Sequence, residues 1–238
     1  MVAIRTTEFI GAKSALQTFE SNMFSRTNAF ALSDEKGRIR VETAELEPGG
    51  LKVSRVRSTG HSVDLTEDQS ATLLVPLSGK LRVRVSTAEY RLGQASVCVF
   101  GPTSRRTRAE APAGGTGLFH ANALMLPTAR LHDLIEAQVD RNLRWSGLPD
   151  ALPVSAKLPE VRRLSDLLDL ITGRFDESPP LSAKAIVAMA VLIEEFLSDL
   201  VHRSTPALAE QRVLPAAWLR VRMAEEVMRA RSDEPLSM

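Results

Sequence analysis

The side chains best suited to hold a metal or move a proton are four histidines, His61, His120, His132 and His202. A metal site needs several imidazole or carboxylate groups converging at about 2 Å from one ion, and close sequence spacing usually announces it. Here the nearest pair, His120 and His132, lies twelve residues apart across a strand-to-helix transition. His132 and Glu136 share a helix face, but two groups complete no coordination sphere, and a solvated pair accounts for them. Cys98 sits in an apolar strand with no helix start or basic neighbour to depress its pKa, which reads as an inert buried thiol.

Phosphate and nucleophile motifs are equally thin. Gly115-Thr116-Gly117 has His120 where a dinucleotide fingerprint needs its third glycine, and it precedes a strand rather than a helix. Gly11-Ala12-Lys13-Ser14 lacks the upstream glycine of a phosphate loop, and Ser33-Asp34-Glu35-Lys36 lacks the partner motifs that activate a serine. No catalytic set, cofactor or metal site is expected.

The elements that would position any such residue change character along the chain. Twelve of the 13 glycines fall at or before Gly147, so turns concentrate in the first part. From about Leu46 to Leu126 short runs alternate apolar and polar residues; Leu81, Val83 and Val85 against Arg82 and Arg84 show it best. Ala95 to Phe100 and Leu118 to Leu126 add further strands, and this spacing argues for a sandwich or small barrel. A short helix is expected over 12–24. Beyond Pro127 the period becomes helical, with Leu131, Leu134 and Ile135 on one side. The stretch 146–159, holding Pro149 and Pro153, reads as a linker.

Two helices follow. The first carries Leu164, Leu168, Ile171 and Phe175, and the second Ile186, Met189, Ile193, Phe196 and Leu200. Their 3, 4 spacing suits either packing on the barrel or a seam between two chains, and a short loop between them predicts an antiparallel pair. After a second linker, 204–215, a last helix is expected over about 216–230. The fold class is α+β, with boundaries at 1–150, 151–204 and 205–238.

Composition bounds the function. The 238 residues are 44% hydrophobic and 25% charged, with net charge +1, one cysteine, and no apolar run near the length of a membrane span. No secretory signal is visible at the start, so a cytoplasmic protein is expected. Of its 30 basic residues 24 are arginine. That imbalance suits bidentate contacts with carboxylates and phosphates, though codon usage explains it as readily.

Residues 76–85 (PLSGKLRVRV), Tyr90-Arg91-Leu92-Gly93 and Val97-Cys98-Val99-Phe100-Gly101-Pro102 resemble a cupin-type barrel. More narrowly, they resemble the sensor domain of AraC/XylS-type transcriptional regulators. Leu124-Met125-Leu126-Pro127 matches the strand-to-helix step of that family, and the two striped helices stand where its members dimerise. Residues 220–228 (RVRMAEEVM) resemble the opening helix of its DNA-binding domain.

This resemblance implies a small-molecule effector but carries over no contact residues; Phe100 and His120 are candidate contacts as strand residues near barrel ends. It also implies a homodimer through Leu164, Leu168, Ile171, Phe175, Ile186, Met189, Ile193, Phe196 and Leu200. The positions matching the ligands of metal-binding cupins fall near Leu65 or Thr66, Glu67 or Asp68, and Thr72, while arginines 105, 106 and 108 stand where a later histidine is expected. A sensor is therefore expected rather than the alternative, a cupin-like isomerase or dioxygenase. No recognition helix follows residue 228, so DNA is expected to be read only through a domain missing from this chain, with no membrane partner.

Overall fold

Strands whose two faces are both covered lose the simple apolar–polar alternation, and this explains the continuous run Ala71 to Val75. The computed structural model describes residues 4–11, 25–46, 49–94, 96–113, 117–138, 148–176 and 182–204. Its strands are β1 (Ile4–Ile10), β2 (Arg26–Leu32), β3 (Arg38–Leu46), β4 (Leu51–Ser58), β5 (Gly60–Glu67) and β6 (Ser70–Ser78). They continue as β7 (Lys80–Val85), β8 (Ala88–Leu92), β9 (Ser96–Phe100), β10 (Thr103–Glu110), β11 (Phe119–Pro127) and β12 (Ala151–Ser155). The helices are α1 (Thr128–Gln138), α2 (Pro159–Gly173) and α3 (Ala183–Ser204), with a 3-10 turn at Arg174–Asp176 after α2.

Two sheets result, a seven-stranded one in the order β1-β3-β4-β11-β6-β9-β12 and a five-stranded one in the order β2-β5-β10-β7-β8. Pairing is antiparallel throughout, and the sheets enclose one apolar core built from Phe30, Ile39, Val63, Leu81, Phe100 and Phe119 among others. Alternate residues of the larger sheet, such as Leu51, Leu73, Val99 and Leu124, point the other way into a second core shared with the helices. Gly79 makes the β6–β7 turn at φ +83°, where an added Cβ would collide with the backbone carbonyl of Glu110. The α+β class holds.

Helix α2 begins on Pro159, whose missing N–H costs nothing in a first turn. Helices α2 and α3 run antiparallel: Arg203 at the end of α3 meets Glu160 at the start of α2 (3.0 Å), and Arg163 lies over the Phe196 ring. Their stripe is spent inside the chain. Leu164, Leu168, Ile193 and Leu200 are 0% exposed, Ile171 and Ile186 are buried, and Phe175, Met189 and Phe196 pack partly buried against the same core. Six of the nine residues expected to form a seam between copies thus pack inside this chain, while Phe175, Met189 and Phe196 stay partly exposed. The large apolar residues these helices leave exposed are Leu170, Val187 and Leu192, at 44%, 42% and 40%.

Other boundaries also move. Strands begin at Ile4, well before Leu46, because the mostly exposed β1 and β2 carry little apolar signal. The expected linker 146–159 contains β12, beyond the expected boundary at residue 150, yet it pairs with β9 and places Pro153 opposite Cys98. Proline is tolerated there because β12 is an edge strand. The helices expected over 12–24 and 216–230 lie outside the described residues.

Candidate functional site

Strand alternation builds a cavity between the sheets. The larger sheet contributes Ile39, Val41, Val56, Phe119, Ala121 and Ala123 to its wall, and the smaller one Phe30, Val63 and Leu81. Three polar groups interrupt this apolar lining: His61, Arg105 and Thr107. The void leaves about 50 Å³ for the centres of water-sized spheres. That is room for a few ordered waters, or the end group of a small guest.

Each polar group is held differently. His61 Nδ1 hydrogen bonds with Ser58 Oγ (2.8 Å), and its ring stacks on Phe30 and meets Phe119 edge-on. Burial pushes its pKa down to about 4, so the ring is neutral at pH 7. Thr107 Oγ1 is buried and has no hydrogen-bond partner among the described residues, which costs stability unless a guest supplies the bond.

Arg105, only 2% exposed, donates from Nη2 to Thr72 Oγ1 (3.1 Å) and lies 5.0 Å from the Phe100 ring centroid. Burial lowers its pKa to about 10, opposed by the charge of Glu67, and it stays cationic at neutral pH. Glu67 in turn accepts from Ser25 N and Oγ, Gln69 N and Ser70 N, fixing the β5–β6 turn against the start of β2.

The His61 shift carries a pH signature. Because its folded pKa lies below the ordinary 6.5, its contribution to stability is complete above pH 6.5 and is lost as pH falls towards 4. A change of that size is worth about 3 kcal/mol. In chemical denaturation, wild type should lose about that much more stability than His61→Gln between neutral pH and pH 4. Equal losses would show that His61 does not titrate out of a neutral folded state.

Behind the cavity wall lies a second polar cluster. Strands β3 and β4 turn Ile39, Val41 and Val56 inward and Arg40, Glu42, Arg55 and Arg57 outward. Buried Glu42 accepts Arg40 (2.8 Å), Arg55 Nε (2.8 Å) and Arg57 (3.0 Å). Arg55 also donates to the Thr172 carbonyl at the end of α2 (3.0 Å) and to Asp176 (2.7 Å), and its guanidinium lies over Phe175. One guanidinium thus ties the barrel wall to the helix pair. Its hydrogen bond holds the Asp176 carboxyl below the usual carboxylate range.

The two residues expected from sequence part company. Phe100 is fully buried in the inner core beneath Arg105. His120 lies on the opposite face of the larger sheet, half-buried, with Arg57 as its cross-strand neighbour. Burial, then Arg55 and Arg57, lower its pKa, while Asp169 on α2 opposes them. Neighbouring Asn122 donates to that same Asp169 (2.7 Å).

His61, Arg105 and Thr107 escaped the sequence reading. The run His61, Val63, Leu65 alternating with Ser62, Asp64, Thr66 does mark His61 as inward. Arg105 gives no such signal, because arginines occupy both faces of β10. Among the described residues no group of three His, Cys, Asp or Glu side chains could hold a metal ion. The positions matching cupin metal ligands do not fit one either, since beside Glu67 and Thr72 the cation already present is the Arg105 guanidinium.

No family model matches the chain, and no curated protein does. Among solved structures it is similar to the AraC-like transcriptional activator CuxR, with 10% identity and TM-score 0.48 over 83% of this chain and 67% of that one. It is also similar to an apo form of ToxT, a single-residue variant from Vibrio cholerae strain SCE256, with 8% identity and TM-score 0.44 over 76% of this chain and 66% of that one. The chain therefore spans about two thirds of the length of each of these two proteins. The cupin domain of Schizosaccharomyces pombe Cnp3 matches 37% of the chain at 15% identity and TM-score 0.31. No helix among the described residues is long and apolar enough to cross a membrane.

Proposed function

We propose that the chain is the ligand-sensing part of an AraC/XylS-like transcriptional regulator, acting in the cytoplasm. The observation that carries this reading is the sharing of β3 and β4 between an apolar cavity and the ion network gripping α2. A small, mostly apolar organic effector would enter the barrel and present one hydrogen-bonding group to His61 and Thr107. Phe100 serves it indirectly, by supporting Arg105. His120 belongs to the network that senses the shifted wall. An effector with unequal affinity for two settings of that network shifts their populations, and the helices carry the difference away.

Pairing of two copies is assigned to the outward face of α2 and α3, where Leu170, Val187 and Leu192 are exposed. Sequence-specific reading of DNA is assigned to elements other than this barrel. The fixed guanidinium beside Glu67 and Thr72 supports a sensor over a metal-dependent isomerase or dioxygenase, because a cation there repels a metal ion.

A thermal-shift screen of small apolar molecules tests the assignment. A saturable hit should be lost in Ala123→Leu, which fills the cavity, and kept in Leu170→Ser, which leaves it open. A hit indifferent to Ala123→Leu would move the effector site elsewhere, and stoichiometric metal with turnover would replace the sensor by an enzyme.

A further inference from the structure

The outer face of the five-stranded sheet concentrates arginine. Residues that alternate outward on β7, β8 and β10 include Lys80, Arg82, Arg84, Arg91, Arg106 and Arg108, all exposed, against three acids, Asp64, Glu89 and Glu110. The registers line them up. Arg108 stands opposite Arg82, and Arg82 opposite Arg91, so three guanidinium groups cross three neighbouring strands in one row. In the next row Arg106 stands opposite Arg84, flanked by Asp64 and Glu89. Adjacent strands lie about 4.8 Å apart, and like charges placed directly opposite one another destabilise a sheet. Three acids serve five arginines: Asp64 pairs with Arg106 (2.9 Å), Glu110 is shared between Arg82 (3.4 Å) and Arg108 (3.6 Å), and Glu89 between Arg84 (3.8 Å) and Arg91 (3.4 Å), so positive charge remains in excess. Such exposed pairs hold weakly and yield readily to a stronger anion.

We propose that this sheet face binds the phosphate backbone of duplex DNA without regard to sequence. Arginine forks match phosphate oxygens in pairs, which lysine cannot do. Among the described residues the face offers no large exposed apolar side chain that a membrane or a stable protein interface would bury; the remaining outward positions on β5 and β10 hold Ser62, Thr66 and Ser104. No aromatic ring among the described residues is presented for stacking on bases, so the contact is to the backbone. The face lies across the barrel from the helix pair, leaving α2 and α3 accessible while DNA is held. A separate reader domain would then start its search from DNA already close by.

The test is fluorescence anisotropy of the full chain with a short random-sequence duplex, titrated from about 50 to about 200 mM salt. Binding should weaken steeply over that range, and Arg82→Ser/Arg91→Ser/Arg108→Ser should cut affinity at low salt about tenfold or more. Its salt slope should flatten by about two to three, near 0.9 for each phosphate contact removed. A control losing the same charge elsewhere, Arg5→Ser/Lys36→Ser/Arg38→Ser, should bind within about twofold of wild type. Since the triple variant relieves like-charge repulsion, its melting temperature should not fall, which separates lost contact from lost fold.

Three results would overturn the assignment: no binding by wild type at low salt, equal losses in both triple variants, or binding confined to phosphatidylglycerol vesicles.

Discussion

Leu168→Asp, or Ile193→Asp, is expected to unfold the chain rather than to release a monomer from a dimer. Both leucine and isoleucine here are 0% exposed and lie in the core between the helix pair and the larger sheet. Truncating such a side chain to alanine typically costs about 2–5 kcal/mol. Aspartate adds the desolvation of a charge, or of a carboxylic acid with no planned partner. The sum reaches the whole stability of an ordinary domain, about 5–15 kcal/mol. Circular dichroism and light scattering should therefore report loss of cooperative melting together with aggregation. A folded monomer from a dimeric wild type would instead place the stripe between chains.

Glu42→Ala is the second change with a large effect. It takes from buried Arg55 its buried carboxylate partner, leaving it only the half-exposed Asp176, and deprives Arg40 and Arg57 of the same acceptor. Breaking a buried pair from one side costs about 3–5 kcal/mol, because the stranded charge stays out of water. Asp176→Asn, at the exposed end of the same arginine, should cost far less. Beyond stability, Glu42→Ala should loosen the end of α2 from the sheet, seen as faster hydrogen exchange at Ile171 and Thr172 than in Asp176→Asn. Equal exchange in the two variants would mean that Arg55 does not tie the helix to the barrel through Glu42.

Periodicity made the middle of the fold legible. Leu81, Val83 and Val85 against Arg82 and Arg84 could only be a half-buried strand, and the 3, 4 stripes of α2 and α3 could only be helices with one apolar face. What covers an apolar face is not written in its spacing, and for that reason Leu168 and Ile193 pointed equally to a second chain and to the sheet. Strands β1 and β2 were hidden because they bury little, and β12 because Pro153 speaks against a strand except at an edge. The site was harder still. His61 could be read as inward from its neighbours, whereas Arg105 is distinguished from Arg106 and Arg108 only by strand register, which no local pattern supplies.

The double-facing hairpin of β3 and β4 also constrains how this protein can diverge. Alternate residues on each strand serve different chemistry, with Ile39, Val41 and Val56 on the cavity and Arg40, Glu42, Arg55 and Arg57 on the ion network. Substitutions can retune either side separately. An inserted or deleted residue cannot, since a one-residue slip exchanges the two sets, driving carboxylate and guanidinium into the dry barrel and valine into the ion network. Related chains should therefore vary freely in the composition of this hairpin while keeping its strand lengths fixed, and length changes should collect in the connections between elements instead.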